Sequence, residues 1–172
     1  MKIVSKTDVG LVRQSNQDSY AAGEMPGGVA WAVVCDGMGG ANGGNIASAT
    51  AVKMISEMIS STYREGMSSN SIRTMLQSAI YAANVSVFDM AKSVESLSGM
   101  GTTVVAAVVA HGLVHVAHAG DSRAYIVSDT GMQQITKDHS IVQSMIEDGS
   151  LSPAEAKLPP RKNIITRALG VE

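Results

Sequence analysis

Asp36 follows the apolar segment Val29–Cys35 and is itself followed by five glycines in eight positions: Gly37, Gly39, Gly40, Gly43 and Gly44. A run of this kind lets backbone approach a ligand closely. Two phosphate cradles are excluded by spacing. No Lys-Ser/Thr pair follows the glycines as a Walker loop requires, and Asn42 stands where a dinucleotide fingerprint needs its third glycine. An acid at the mouth of the run would repel phosphate but hold Mg²⁺ or Mn²⁺, hard cations that prefer oxygen ligands. The competing reading is a turn aspartate that caps its own loop. Cys35 fails as a phosphatase nucleophile. That chemistry wants an arginine six residues on, and Ala41 is there, so Cys35 reads as a small buried apolar residue.

Other segments are weak when taken singly. Arg13 and Asp18 place a guanidinium and a carboxylate close together, which is usually a surface ion pair. Gly120-Asp121-Ser122-Arg123 reads as a tight turn between strands, and Thr136–Ser140 as the start of a helix. His115 and His118 differ by an odd number and point to opposite faces of a strand, so the histidines make no zinc site by spacing.

The elements that must position these residues can be read from periodicity. Ile3–Val12 suggests an edge strand and Val29–Cys35 a buried one, with the glycine run as a loop after it. Apolar residues at 47, 51, 54, 55, 58 and 59 predict a helix from about Asn45, and a long stripe predicts a second over Ser71–Val94. The period then changes. Thr102–Ala110, Leu113–Ala119, Arg123–Ser128 and Met132–Thr136 read as strands, joined by His111-Gly112 and Asp129-Thr130-Gly131. Ser140 with Gln143 resembles a capping box opening a helix that stops at Gly149. A short helix opens at Ser152-Pro153, Pro159-Pro160 ends it, and Ile164–Leu169 is a last apolar run.

With 172 residues, 45% hydrophobic and 16% charged, the chain is sized for one domain with a core. Lys and Arg number 13 against 15 Asp and Glu, a net charge of −2, which leaves no basic surplus for nucleic acid. One cysteine excludes a disulfide framework. The N-terminus carries no apolar signal core, and no apolar run approaches the ~20 residues that span a bilayer, so the expectation is a cytoplasmic protein without membrane insertion. Aromatic residues make up only 3%, so Met, Val, Ile and Ala must fill the interior.

Taken together, Arg13-x-x-Asn16-Gln17-Asp18-Ser19, Val34–Gly40, Gly99–Thr103, Gly120–Arg123, Thr136–Ser140 and Arg161–Gly170 resemble, in order, the motifs of the metal-dependent protein serine/threonine phosphatases (protein phosphatase type 2C), in their bacterial branch. The resemblance implies an α+β fold, a four-layer α-β-β-α sandwich of two antiparallel sheets flanked by helices. It implies hydrolysis of phosphoserine and phosphothreonine in phosphorylated proteins by a metal-activated water, and a serine/threonine kinase as partner. Two Mn²⁺ or Mg²⁺ ions would share Asp36, with the Gly37 carbonyl as a further ligand. Arg13 matches the phosphate-holding residue, Asp18 an acid behind the metal site, and Asp121 an acid tied to an additional, weaker ion. Met38 matches a histidine of animal members. Ala41 and Asn45 depart from the pattern of many relatives, which have His and Glu there, and Gln17 stands where some have Glu; Asn45 could still cap the helix.

Relatives also continue past the segment matching Arg161–Gly170 and supply two more metal-binding aspartates, in S-D-G and D-N motifs that do not follow Gly170 here. The expectation is therefore a single domain over residues 1–172 that lacks the last strands of the fold. It should bind metal weakly, turn over little, and associate or swap through open sheet edges. The alternative is a non-catalytic phosphatase-like binding or regulatory module.

Overall fold

The computed structural model describes residues 1–152, 154–157 and 164–171, apart from the side chains of residues 41, 42 and 157. The chain runs β1 (Asp18–Met25), β2 (Val29–Met38), α1 (Gly40–Thr62), α2 (Ser69–Ser93), a 3₁₀ turn (Glu95–Leu97), β3 (Gly101–Thr102), β4 (Val104–Ala110), β5 (Leu113–Ala119), β6 (Tyr125–Ser128), β7 (Gly131–Gln134), α3 (Ile141–Glu147) and a 3₁₀ turn (Glu155–Lys157). The larger sheet is antiparallel in the order β1-β2-β4-β5, with β3 also pairing β2, and the smaller sheet is the β6–β7 hairpin. This is the expected α+β class, with two antiparallel sheets and helices as separate blocks.

Alternation decides which face of the larger sheet is covered. On β4 the residues Val104, Ala106, Val108 and Ala110 are buried, and the intervening ones are half-buried. Their face meets α1 and α2, whose Ile55, Ile59, Ile72, Leu76 and Val87 are fully buried. Buried alanines at 47, 51, 79 and 83 allow the helices to lie close to the strands. Ser68 opens α2, its Oγ accepting the Ser71 N–H, and Ser140 opens α3, its Oγ accepting the Gln143 N–H at 3.2 Å. The β4–β5 turn has φ of 52° at His111 and 75° at Gly112, the left-handed pair a two-residue hairpin requires.

Four expectations are corrected. Residues 1–17 hold no strand, and the edge strand is β1, whose mixed sequence DSYAAGEM hid its alternation. β2 does not stop at Cys35 but runs through Met38, because Asp36 pairs with Asp18 on β1 and Gly37 with Thr102 on β3. The helix begins at Gly40 rather than Asn45, so Asn45 is not its N-cap. That position is Gly39, left-handed at φ 116° and with no side-chain cap. Thr102–Ala110 is broken at Thr103 into β3 and β4. Pro153, Pro159-Pro160 and Arg161–Asn163 lie outside the described residues.

Candidate metal and phosphate site

The strand register brings Asp36, Asp18 and the turn at Asp121 to one end of the larger sheet: the end of β2, the start of β1 and the stretch just after β5. Asp18 and Asp36 are direct cross-strand partners, so their side chains share a face. Like charges placed opposite one another are unfavourable in a sheet. The carboxyl of Asp36 is accordingly held above its ordinary value of 3.8. Partial burial is the largest cause, then the charge and hydrogen bonding of Asp18; Asp121 adds to the rise and Arg13 opposes it. Arg13, Asp36, Gly37, Thr103 and Asp121 line one open cleft of about 610 Å³, and Asp18 is not part of its lining. Arg13 itself is exposed.

Each loop around the cleft is tied by local bonds. Asn16 Oδ1 accepts the Asp18 N–H at 2.9 Å, an Asx turn that launches β1. The Gly37 N–H donates to Gln17 O at 3.1 Å, and Gln17 Nε2 donates to Gly40 O at 2.8 Å, joining that turn to β2 and to the first turn of α1. A Cβ on Gly37 would lie 2.0 Å from the Gly44 carbonyl oxygen, so the glycines serve a close strand–helix crossing. The Thr136–Ser140 segment latches the Asp121 turn. Arg123 donates through Nε and Nη2 to both carboxylate oxygens of Asp138, at 2.9 and 2.6 Å. The His139 N–H donates to Gly120 O at 2.9 Å, and the Gly120 N–H donates to His139 Nδ1 at 3.2 Å. The ring of His139 stacks on His118 with centroids 4.6 Å apart. Burial first, then His118 and Arg167, lower the pKa of His139, which keeps Nδ1 free to accept.

Cys35 is fully buried, and its thiol is pushed up to about 12 by that burial against a weaker opposing hydrogen bond from Thr102. It has no thiolate to offer at neutral pH. Among the described residues no group of three His, Cys, Asp or Glu is arranged to hold one ion. The donors present nonetheless suit a hard divalent cation. They are all oxygens, and Mg²⁺ commonly takes one or two carboxylates and keeps several waters. The unfavourable Asp18–Asp36 pairing is what a dication would relieve. A larger groove of about 900 Å³ lies between α2 and β5, and among the described residues no carboxylate lines it. Sequence reasoning carried Thr103 only as the end of the Gly99–Thr103 motif and gave it no role, because residue type does not say what its hydroxyl meets.

Fold and cleft together define an α+β domain with an oxygen-rich, arginine-flanked site at one end of its main sheet. A family model described as protein phosphatase 2C matches residues 12–146. The serine/threonine phosphatase stp of Listeria innocua is 40% identical over 167 residues, covering 97% of this chain and 66% of the relative. The crystal structure of the serine/threonine phosphatase Stp1 from Staphylococcus aureus superposes with a TM-score of 0.85 at 32% identity, over 97% of this chain and 65% of that one. The catalytic domain of serine/threonine protein phosphatase PstP in complex with two manganese ions superposes with a TM-score of 0.79 at 32% identity, over 96% and 65%. The chain belongs to the protein phosphatase 2C family, and it spans about two thirds of the length of these relatives. Among the described residues no helix is long and apolar enough to cross a membrane.

Proposed function

We propose that this chain carries the phosphate-binding side and part of the metal-binding side of a serine/threonine protein phosphatase. The observation that carries the reading is the cleft in which Arg13, Asp36, Gly37 and Asp121 meet. Asp36 and the Gly37 carbonyl would hold two Mn²⁺ or Mg²⁺ ions, Asp18 would support them from behind, and Asp121 would hold a further, weaker ion. The PstP structure with two manganese ions supports the choice of metal. Bound there, the ions would supply Lewis acidity and a water nucleophile competent at neutral pH.

The chain's own residues do the rest. Arg13 presents a planar fork of donors to two phosphate oxygens, which orients the phosphomonoester and offsets its charge. The glycines at the mouth of the cleft leave room for a phosphorylated serine or threonine side chain. Water oxygen bonds to phosphorus, the ester oxygen departs, and the water's proton is passed to it. The buried Cys35 thiol takes no part, so the reaction does not pass through a cysteinyl-phosphate. Substrates are phosphorylated proteins, and a serine/threonine kinase is the fitting source of them. The relatives and structures named above are phosphatases, and none of them supports the non-catalytic alternative.

The test is hydrolysis of an aryl phosphate and of a phosphothreonine peptide. It is run on the 172-residue chain and on the same chain extended with the C-terminal third of the Listeria relative. Low turnover in the first, restored Mn²⁺-dependent turnover in the second, and loss of that turnover in Asp36→Asn are expected. Turnover that persists in EDTA or in Asp36→Asn would overturn the mechanism.

A further inference from the structure

The ladder between β2 and the β3–β4 pair keeps one register, with Gly37 opposite Thr102 and Val34 opposite Val105, yet it breaks where Asp36 faces Thr103. The Thr103 N–H donates to Asp36 O at 2.9 Å, as a regular ladder would have it. The return bond is irregular. The Asp36 N–H donates to the side-chain Oγ1 of Thr103 at 3.0 Å instead of to its carbonyl. That carbonyl instead accepts the hydroxyl of Thr102 at 3.0 Å, and Thr102 Oγ1 also lies 2.9 Å from Asp36 O. The Asp36 N–H is therefore held by a threonine side chain rather than by the ladder.

The same Oγ1 of Thr103 lies 2.7 Å from Ser122 Oγ, and a Cβ on Gly120 would come within 2.6 Å of the Thr103 methyl. Gly120 and Ser122 flank Asp121. A hydroxyl has one donor and two acceptor lone pairs, so one oxygen can serve Asp36 and Ser122 together. Thr103 is almost completely buried, at 1% exposure, and it lines the cleft floor. Its side chain thus joins the strand that bears one carboxylate to the turn that bears another.

We infer that Thr103 is a positioning residue that sets Asp36 and the Asp121 turn in mutual register for divalent-cation binding, through the Asp36 amide and the Ser122 hydroxyl. This rests on the metal-site reading above. Groups that orient ligands from behind typically change metal affinity without touching the ion.

Free Mn²⁺ is followed by electron paramagnetic resonance as the 172-residue chain is titrated, alongside hydrogen exchange at the Asp36 amide. Thr103→Val keeps the shape and removes the oxygen. It should weaken Mn²⁺ binding roughly 10–100-fold and speed exchange at Asp36. Thr103→Ser returns the oxygen and should restore both. Ser122→Ala, at a half-buried turn, should weaken Mn²⁺ binding while leaving the Asp36 amide protected. Equal Mn²⁺ affinity in wild type and Thr103→Val, or a Thr103→Ser protein as impaired as Thr103→Val, would overturn the inference. An unchanged affinity in Ser122→Ala would overturn the link to the Asp121 turn. A wild-type chain that binds no Mn²⁺ would overturn the metal-site reading itself, and this inference with it.

Discussion

Without a cation, Asp36 is a liability to the fold. It faces Asp18 across the ladder, and its pKa is raised by partial burial and by its acidic neighbours. A raised carboxyl favours the neutral form in the folded state. Its stabilising contribution is therefore complete below the ordinary value of 3.8 and lost as pH rises through the raised value. At pH 7 in EDTA, Asp36→Asn should melt higher than wild type by roughly 1–3 °C. The gap should close on acidification, as differential scanning calorimetry can show. His139 carries the opposite sign. Its pKa is lowered from 6.5 by burial and by His118 and Arg167, so its contribution is present above 6.5 and lost as pH falls through the lowered value. His139→Gln should flatten the decline of the urea midpoint between pH 7 and pH 5. At this scale the sequence was most legible where residue type alone limits the chemistry, as for Asp36 before its glycines. It was least legible at Thr103 and His139, whose roles depend on which backbone group happens to face them.

At the scale of elements, the glycine run after Asp36 misled because helix propensity counts glycine as a breaker. The structure uses Gly44 and Gly43 inside α1, both buried, to bring the helix start down onto Gly37 and Gln17 and onto Met100 respectively. Tertiary contact overrode propensity there. Gly37→Ala must push backbone away from backbone and should cost about 3 kcal/mol or more in urea unfolding. Gly66→Ala has open space around it and only a left-handed φ of 82° to strain, so it should cost about 1–2 kcal/mol. A smaller loss for Gly37→Ala than for Gly66→Ala would contradict the crossing described for α1 and β2. Elements whose local signals agreed with their packing were read closely: α2 with its long apolar stripe, β5 between two defined turns, and α3 with its capping box. β1 escaped because half of it faces solvent and its apolar residues are mostly alanine.

For the molecule as a whole, the helices cover one face of the larger sheet and leave the other apolar. Val34 and Val114 lie on that open face with 46% and 47% exposure, and Tyr20 with 43%. Exposed apolar surface of this kind promotes association, so the 172-residue chain should show concentration-dependent mass in light scattering. Val34→Lys combined with Val114→Lys should reduce it, and an unchanged mass in that double variant would place the contact elsewhere. The layered arrangement was legible only through the motif resemblance, because periodicity gives strands and hairpins but not which faces meet. The site was legible as a set of residue types in order, and its assembly at one end of the sheet follows from a register that no local pattern encodes. The proposed hydrolysis requires a divalent cation at Asp36. An anomalous-scattering map from crystals of the extended chain grown with Mn²⁺ should show density beside the Asp36 carboxylate, on the side facing Arg13, and none in Asp36→Asn. Manganese ordered elsewhere in the crystal with the Asp36 carboxylate bare would contradict it.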